Sequence, residues 1–326
     1  MTDVIDIKGL SHSYGDLLAV DDIDLIVEKG KVFALLGPNG AGKTTTINVI
    51  ITLLPIQKGR VTIVGNDLRK DPDSVRLSIG VVFQGETLDA DMKTWETLEF
   101  HGRLYSIPKV ERRARIDELL DVVGLTEKRE ELVKNLSGGM KRRLEIARGL
   151  MTRPDVLFLD EPTVGLDPQA RHNIWDYIER VKGEGVTIFL TTHYMDEADR
   201  LSDHIYIIDH GRIITEGTPT ELKDSIGEDM IYLSTDDDER ALELLNSMEE
   251  VREVKPSSKG HSISLSVEGS KFLPQLLRRI EDQGIDILSV SMKKPTLDDV
   301  FIHFTGRGLR EGETVTPSVM ASGGMG

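Results

Sequence analysis

The sequence holds 326 residues, enough for about two domains at ~150 residues each, and its 39% hydrophobic content supports a packed core. It has no cysteine, which excludes a disulfide framework, a thiolate zinc site and a cysteine nucleophile, and fits a reducing compartment. The formal net charge of -16 argues against general nucleic-acid binding, which needs basic surface.

The first residues carry Asp3 and Asp6 and no long apolar run, so no signal peptide is expected there. Residues 4–10 and 23–27 read as strands, the second behind a turn at Asp21-Asp22. Tyr14 lies between them. An aromatic upstream of a phosphate-binding loop either stacks on a base or is a half-buried strand-end side chain. An apolar run of strand length, 31–36, leads into Gly37-Pro38-Asn39-Gly40-Ala41-Gly42-Lys43-Thr44-Thr45, and an apolar stretch, 46–54, follows. This is the strand–GxxxxGK[ST]–helix pattern of a phosphate-binding loop. Gly37, Gly40 and Gly42 permit turns that a Cβ would block. The freed N–H groups and the positive end of the next helix form an anion site. Lys43 adds a movable cation, and the Thr44 hydroxyl is a hard oxygen ligand suited to Mg²⁺. The longest near-apolar run, 47–56, is interrupted by Asn48 and Thr52 and falls short of the ~20 residues a spanning helix needs, so no bilayer crossing is expected.

Residues 59–64 read as a strand before the turn Gly65-Asn66, and 79–83 as a buried strand ending at Gln84. From 86 to 135 the texture becomes helical. Two helices, 92–105 and 110–123, are separated by Pro108 and closed by Gly124. Trp95 here is either a core residue or part of a groove for a partner's helix. Leu136-Ser137-Gly138-Gly139-Met140 opens a further helix, 141–151; Ser137 is an N-cap type and the glycines leave bare N–H groups, which on its own describes a capped helix. The apolar strand 156–159 runs into Asp160-Glu161. Adjacent acids at the carboxyl end of a buried parallel strand either carry chemistry or are ordinary loop residues. After Gly165-Leu166-Asp167-Pro168 come a helix, 169–182, and a strand, 186–190, ending at Thr191-Thr192-His193; a helix, 195–201, and a hairpin around His210-Gly211 follow. This alternation specifies a parallel α/β sheet. Beyond it the order changes to strand 230–234, helix 239–248, strands 251–254 and 261–267, helix 271–282 and strand 285–292, the β-α-β-β-α-β order of a ferredoxin-like unit. Asp236-Asp237-Asp238 reads as a solvated turn, 296–304 as a last helix, and 309–326 as a disordered tail.

Taken in order, Tyr14, the phosphate loop, Gln84, Leu136-Ser137-Gly138-Gly139, Leu157-Phe158-Leu159-Asp160-Glu161-Pro162, Gly165-Leu166-Asp167-Pro168 and His193 resemble the ATP-binding cassette ATPase of ABC transporters over residues 1–225. More narrowly, the chain resembles the DrrA group, the ATPase subunits of daunorubicin-resistance-type exporters in prokaryotes. Met140 after Ser-Gly-Gly, then Lys141-Arg142-Arg143, and the closing Pro295-Thr296-Leu297-Asp298-Asp299-Val300-Phe301 with Thr305-Gly306-Arg307 carry that narrower likeness.

The resemblance implies an α/β P-loop NTPase cassette with a helical subdomain at about 86–153, a ferredoxin-like α+β domain over 228–308, and ATP and Mg²⁺ as cofactors. It implies that Tyr14 stacks on adenine and that Gly37, Pro38, Asn39, Gly40, Ala41, Gly42, Lys43, Thr44 and Thr45 hold phosphates. Thr44, Gln84 and Asp160 would serve the metal, with Gln84 also sensing the γ-phosphate. Glu161 would polarise the attacking water and His193 would contact the γ-phosphate. Ser137, Gly138, Gly139 and Asp167 would serve the second subunit of a head-to-tail homodimer; Met140 in place of glutamine puts one polar contact there in question. The implied activity is ATP hydrolysis that powers export of a hydrophobic compound (drug, antibiotic or lipid-like) through separate transmembrane permease subunits. The implied location is cytoplasmic, peripheral on the inner face of the plasma membrane, with membrane contact through the permease only and no nucleic-acid partner. The alternatives are a metabolite-regulated importer ATPase and a soluble ABC ATPase acting on ribosomes or DNA. A single phosphate loop and no heptad insert weigh against the latter.

Overall fold

A computed structural model describes residues 3–227, 229–257, 260–265 and 269–306. The expected disordered tail, 309–326, lies outside them, as do Met1, Thr2 and Val267. The chain divides into two units, Met1–Pro219 and Thr220–Gly326, earlier than the boundary expected between 225 and 228.

In the first unit, β1 (Asp3–Tyr14) and β2 (Leu17–Glu28) form an antiparallel hairpin that turns at Gly15 and Asp16, with Tyr14 opposite Leu17. The turn expected at Asp21-Asp22 is instead a bulge inside β2. Between the pairs Leu10↔Ile23 and His12↔Val20 the register slips, and Asp22 takes φ 54. A bulge kinks a strand without ending its ladder, and its residues resemble those of a turn. There follow β3 (Val32–Leu36), α1 (Lys43–Ile50), β4 (Lys58–Ile63) and β5 (Asn66–Asp67). The next helix, α2 (Pro72–Ser78), was not expected from the pattern. Its start is nonetheless a cap signal: Asp71 accepts from Ser74 N at 3.1 Å and Pro72 opens the first turn. Then come β6 (Ile79–Val82), α3 (Thr94–Leu104), α4 (Lys109–Val122), α5 (Gly138–Gly149), β7 (Val156–Asp160), α6 (Pro168–Gly183), β8 (Thr187–Thr192), α7 (Met195–Leu201), β9 (His204–Asp209) and β10 (Arg212–Gly217); α8 (Pro219–Ser225) begins at the last residue of this unit and runs into the second.

These strands make two sheets rather than one. An antiparallel sheet runs β2-β1-β4-β5, and a second runs β10-β9-β3-β8-β7-β6, parallel except for β10. The parallel strands β3, β7 and β8 are buried along their whole length, so they read as continuous apolar runs. Ile47 and Ile50 of α1 join one core cluster with Ile5, Leu25 and Val61 of the antiparallel sheet and Phe33, Phe158 and Phe189 of the parallel one. The order β3-β8-β7-β6 puts four carboxyl ends side by side, and these lead into Gly37, His193, Glu161 and Gln84. The crevice outside such ends is where open α/β sheets hold ligands. In the helical segment, Arg112 forks onto Glu99, with Nε donating to Oε2 at 2.7 Å and Nη2 to Oε1 at 2.9 Å.

The second unit holds β11 (Met230–Thr235), α9 (Asp238–Asn246), β12 (Val251–Ser257), β13 (Gly260–Leu265), α10 (Gly269–Asp282), β14 (Ile287–Lys293) and α11 (Leu297–Thr305). Its antiparallel sheet runs β12-β13-β11-β14, with Leu245 of α9 and Phe272, Leu276 and Ile280 of α10 in one cluster with Ile231, Leu233 and Ile263. This is the ferredoxin-like arrangement. The aspartate triplet does local work: Asp237 caps α9 through Arg240 N, Asp238 accepts from Thr235, and Asp236 accepts from Asp286 N. Among the described residues no helix is long and apolar enough to cross a membrane.

Candidate functional site

Two glycines of the phosphate loop are sterically required. A Cβ on Gly37 would stand 2.2 Å from Ile208 O, and one on Gly42, at φ 105, would stand 2.4 Å from Ala19 O. The loop is therefore pressed between β9 and the start of β2. Pro38 O accepts from Ala41 N at 3.2 Å, closing the turn over exposed Asn39 and Gly40. No side chain caps α1, so the N–H groups of Lys43, Thr44 and Thr45 are left to an external acceptor. Thr44 is exposed beside them. Uncapped donors, a helix N-terminus and a lysine suit a polyphosphate.

Lys43 is buried, with its Nζ donating to Gly37 O at 2.8 Å and Pro38 O at 3.0 Å. It also pairs with Glu161 Oε1 at 3.2 Å. Burial lowers the Lys43 pKa, against the pull of Glu161.

Glu161 gathers the cluster. His193 Nδ1 lies 3.3 Å from Glu161 Oε1, and Gln84 Nε2 donates to Oε2 at 3.1 Å. Burial pushes this carboxyl up, but the His193 contact and the Lys43 charge hold it below its ordinary value. Its backbone is at φ 46, a left-handed conformation that a non-glycine residue adopts only at a cost. Asp160 points elsewhere. Its Oδ1 accepts from Thr191 Oγ1 at 2.5 Å, and burial, partly offset by that bond, raises its pKa. The two adjacent acids thus diverge. The Thr191 hydroxyl serves both, since it also accepts from Glu161 N at 3.1 Å.

The structure brings Lys43, Glu161, His193 and Gln84 together, with Gly37, Pro38 and Asp160 beside them, and shows no contact of Tyr14, Ser137 or Asp167 with this cluster. Tyr14 is half exposed and packs edge-on against His12, with centroids 5.1 Å apart. Ser137 Oγ accepts from Met140 N at 3.3 Å, and Asp167 Oδ1 accepts from Ala170 N at 2.9 Å. Both are exposed helix caps near one another: a Cβ on Gly138 would meet Leu166 at 3.5 Å, and one on Gly139 would meet Ala170 at 3.2 Å. Trp95 does not line the cleft of about 330 Å³ between the sheet and the helical segment, whose walls include Leu53, Phe83, His101, Tyr105 and Arg148. Sequence reasoning gave no role to Thr191 or Arg142. The signal for Thr191 was a hydroxyl near the carboxyl end of a fully buried strand.

The family model described as "ABC transporter" matches residues 20–164, and that described as "ATP-binding protein DrrA1-3-like, C-terminal domain" matches 217–305. The daunorubicin resistance ATP-binding protein DrrA3 of Streptomyces coeruleorubidus is 40% identical over 303 residues, 93% of this chain and 96% of that protein. The Nod factor export ATP-binding protein I of Cupriavidus metallidurans is 38% identical over 312 residues, 95% of this chain and 100% of that protein. Among solved structures, the CbiO1 subunit of the cbiONQ ABC transporter complex from Clostridium perfringens superposes with a TM-score of 0.64 at 31% identity, over 68% of this chain and 91% of that one. Phosphate loop, acid pair and strand order agree with these likenesses: the chain belongs to the ATP-binding proteins of ABC transporters, in their DrrA-type branch, and is an ATP-binding, ATP-hydrolysing subunit.

Proposed function

We propose that this subunit binds Mg·ATP on its phosphate loop, dimerises around two nucleotides and powers export of a hydrophobic compound through separate permease subunits. The convergence of Lys43, His193 and Gln84 on the Glu161 carboxylate supports this reading best. Lys43 and the uncapped N–H groups of α1 take the phosphates, and Lys43 exchanges Glu161 for phosphate oxygens as ATP enters. Among the described residues there is no cluster of three or more acidic, histidine or cysteine side chains able to hold a metal. Mg²⁺ is the cation that suits such a sparse donor set, because it keeps water and phosphate oxygens as ligands. Thr44, Asp160 and Gln84 would supply the protein oxygens. Glu161 orients the attacking water and accepts its proton, and His193 contacts the γ-phosphate. Tyr14 stacks on adenine.

Ser137, Gly138, Gly139 and Asp167 stand apart from this cluster, which fits service to the ATP of a second copy in a head-to-tail dimer. ATP touching both copies shifts the population to the closed dimer, and hydrolysis removes that differential affinity. Family membership implies membrane permease subunits, and the protein acts on the inner membrane face through them. The cleft lined by Leu53, Phe83, His101 and Tyr105 receives a helix of the permease. The cassette ends near 225, and 228–308 forms an accessory domain that stabilises the dimer or the complex. The drug-resistance and Nod-factor export names of its relatives support export of a compound of this kind. A test is reconstitution in vesicles with a permease recovered from membranes by pull-down: ATP-dependent efflux supports the reading, and ATP-dependent uptake overturns it.

A further inference from the structure

On α5 a buried ion pair reaches into both loops that carry the cluster. Arg142 Nε donates to Pro162 O at 2.8 Å, and Nη2 donates to Asp160 O at 3.0 Å and Glu161 O at 3.2 Å. Nη1 donates to Phe83 O and to Glu145 Oε2, the latter at 2.9 Å. Glu145 Oε1 in turn accepts from Thr87 N and Thr87 Oγ1, each at 3.0 Å. Both side chains are almost wholly buried.

Phe83 and Thr87 bracket Gln84, while the three carbonyls on the other side surround the backbone of Glu161. One guanidinium therefore spans from the Gln84 loop to the Glu161 loop. Its planar fork fixes the directions of several bonds at once, which a lysine ammonium does not. Without it, those carbonyls would lose a buried donor and Glu145 its counter-charge. The left-handed backbone of Glu161 is a conformation that persists only where its surroundings over-determine it, and the bond from Nη2 to its carbonyl contributes to that. Arg142 also lies one helical turn beyond Gly138, at the start of α5 where the proposed partner nucleotide binds.

We propose that Arg142, oriented by Glu145, is a positioning residue for ATP hydrolysis that sets the placement of Gln84 against Glu161 and passes movements of the α5 N-terminus to both. This rests on the assignment of Glu161 and Gln84 above. A rigid element joining the two sites carries the coupling.

The test is a cycle of full-length wild type, Arg142→Lys, Glu161→Gln and the double variant, with Mg·ATP affinity, turnover and melting temperature measured for each. Arg142→Lys keeps the charge facing Glu145 and loses the fork. The expected result is nucleotide affinity within about twofold of wild type and turnover reduced about 10–100-fold, the scale of a small misplacement of reacting groups. Little further loss is expected in the Glu161→Gln background, since both changes disable one step. If Arg142→Lys melts far below wild type, Glu145→Gln replaces it in the cycle with the same split expected at smaller size. Unchanged turnover in a well-folded Arg142→Lys, or equal losses in affinity and turnover, overturns the proposal. Normal turnover in Glu161→Gln overturns the assignment of Glu161 instead, so the two failures are told apart.

Discussion

Gln84 donates to Glu161 Oε2 at 3.1 Å across the gap between the ends of β6 and β7. Both oxygens of Glu161 are therefore engaged, Oε2 by Gln84 and Oε1 by Lys43. The Glu161 carboxylate is thus paired with Lys43, the lysine proposed to take the phosphates. On the proposed function, an entering γ-phosphate would compete with Glu161 for Lys43 and release the carboxylate toward water.

Glu161→Gln separates binding from hydrolysis. Glutamine keeps the size and most of the hydrogen bonding but removes the base, whose help is worth roughly 10²–10⁴-fold. The variant is expected to bind Mg·ATP, turn over slowly and accumulate as a dimer in light scattering with ATP. Near-normal turnover would move the role to His193.

Lys43→Ala is expected to fail earlier, at binding. Fluorescent-nucleotide titration should show a large loss of affinity, and light scattering should show no ATP-dependent dimer. Removing the ammonium also removes one of the influences that hold the Glu161 carboxyl down. Wild-type affinity in this variant would remove the phosphate role from Lys43.

His101 makes stability depend on pH in a defined window. Burial, aided by the Arg148 charge, lowers its pKa from 6.5 to about 4. The folded state therefore resists a proton that the unfolded chain accepts, and stability falls as pH drops from about 6.5 toward 4. Glu99 acts lower: the Arg112 hydrogen bond holds its carboxyl at about 2 against 4.5, so its contribution is present above pH 4.5 and lost as pH falls through about 2. Melting curves across pH 4–7 should flatten in His101→Gln, and an unchanged slope would count against this origin.

The cleft is expected to govern coupling to the membrane partner rather than nucleotide binding. Leu53 and Tyr105 are exposed at its walls. Leu53→Asp with Tyr105→Glu should weaken recruitment to permease-containing membranes, measured by co-sedimentation, and leave soluble ATP affinity unchanged. Undiminished recruitment would place the docking surface elsewhere.

A truncated chain ending at residue 225 is expected to bind ATP as a folded unit, because the phosphate loop and both of its sheets lie before that point. Calorimetry with ATP checks this, and a truncated chain that binds no nucleotide would show that the cassette requires the later residues.

Much of this molecule was legible in the sequence because its signals are local. The loop from Gly37 to Thr45 needs its glycines at fixed spacing, and Gly42 can take its φ of 105 because it has no Cβ. Continuous apolar runs such as Val156–Asp160 announce strands covered on both faces. The ferredoxin-like order likewise followed from alternation alone. What depended on non-local pairing was not legible. The bulge at Asp22 imitates a turn because its residues have the same backbone preferences, and only pairing with β1 distinguishes them. The split into two sheets depends on which strands meet. The contacts that aim Glu161 come from residues 30, 32, 77 and 118 positions away: Thr191, His193, Gln84 and Lys43. In the sequence Arg142 stood out only as part of Lys141-Arg142-Arg143, a mark of family likeness with no role attached. Its role emerged only where folding set it against the carbonyls of two distant loops, because burial turns a solvated charge into a fixed set of hydrogen bonds.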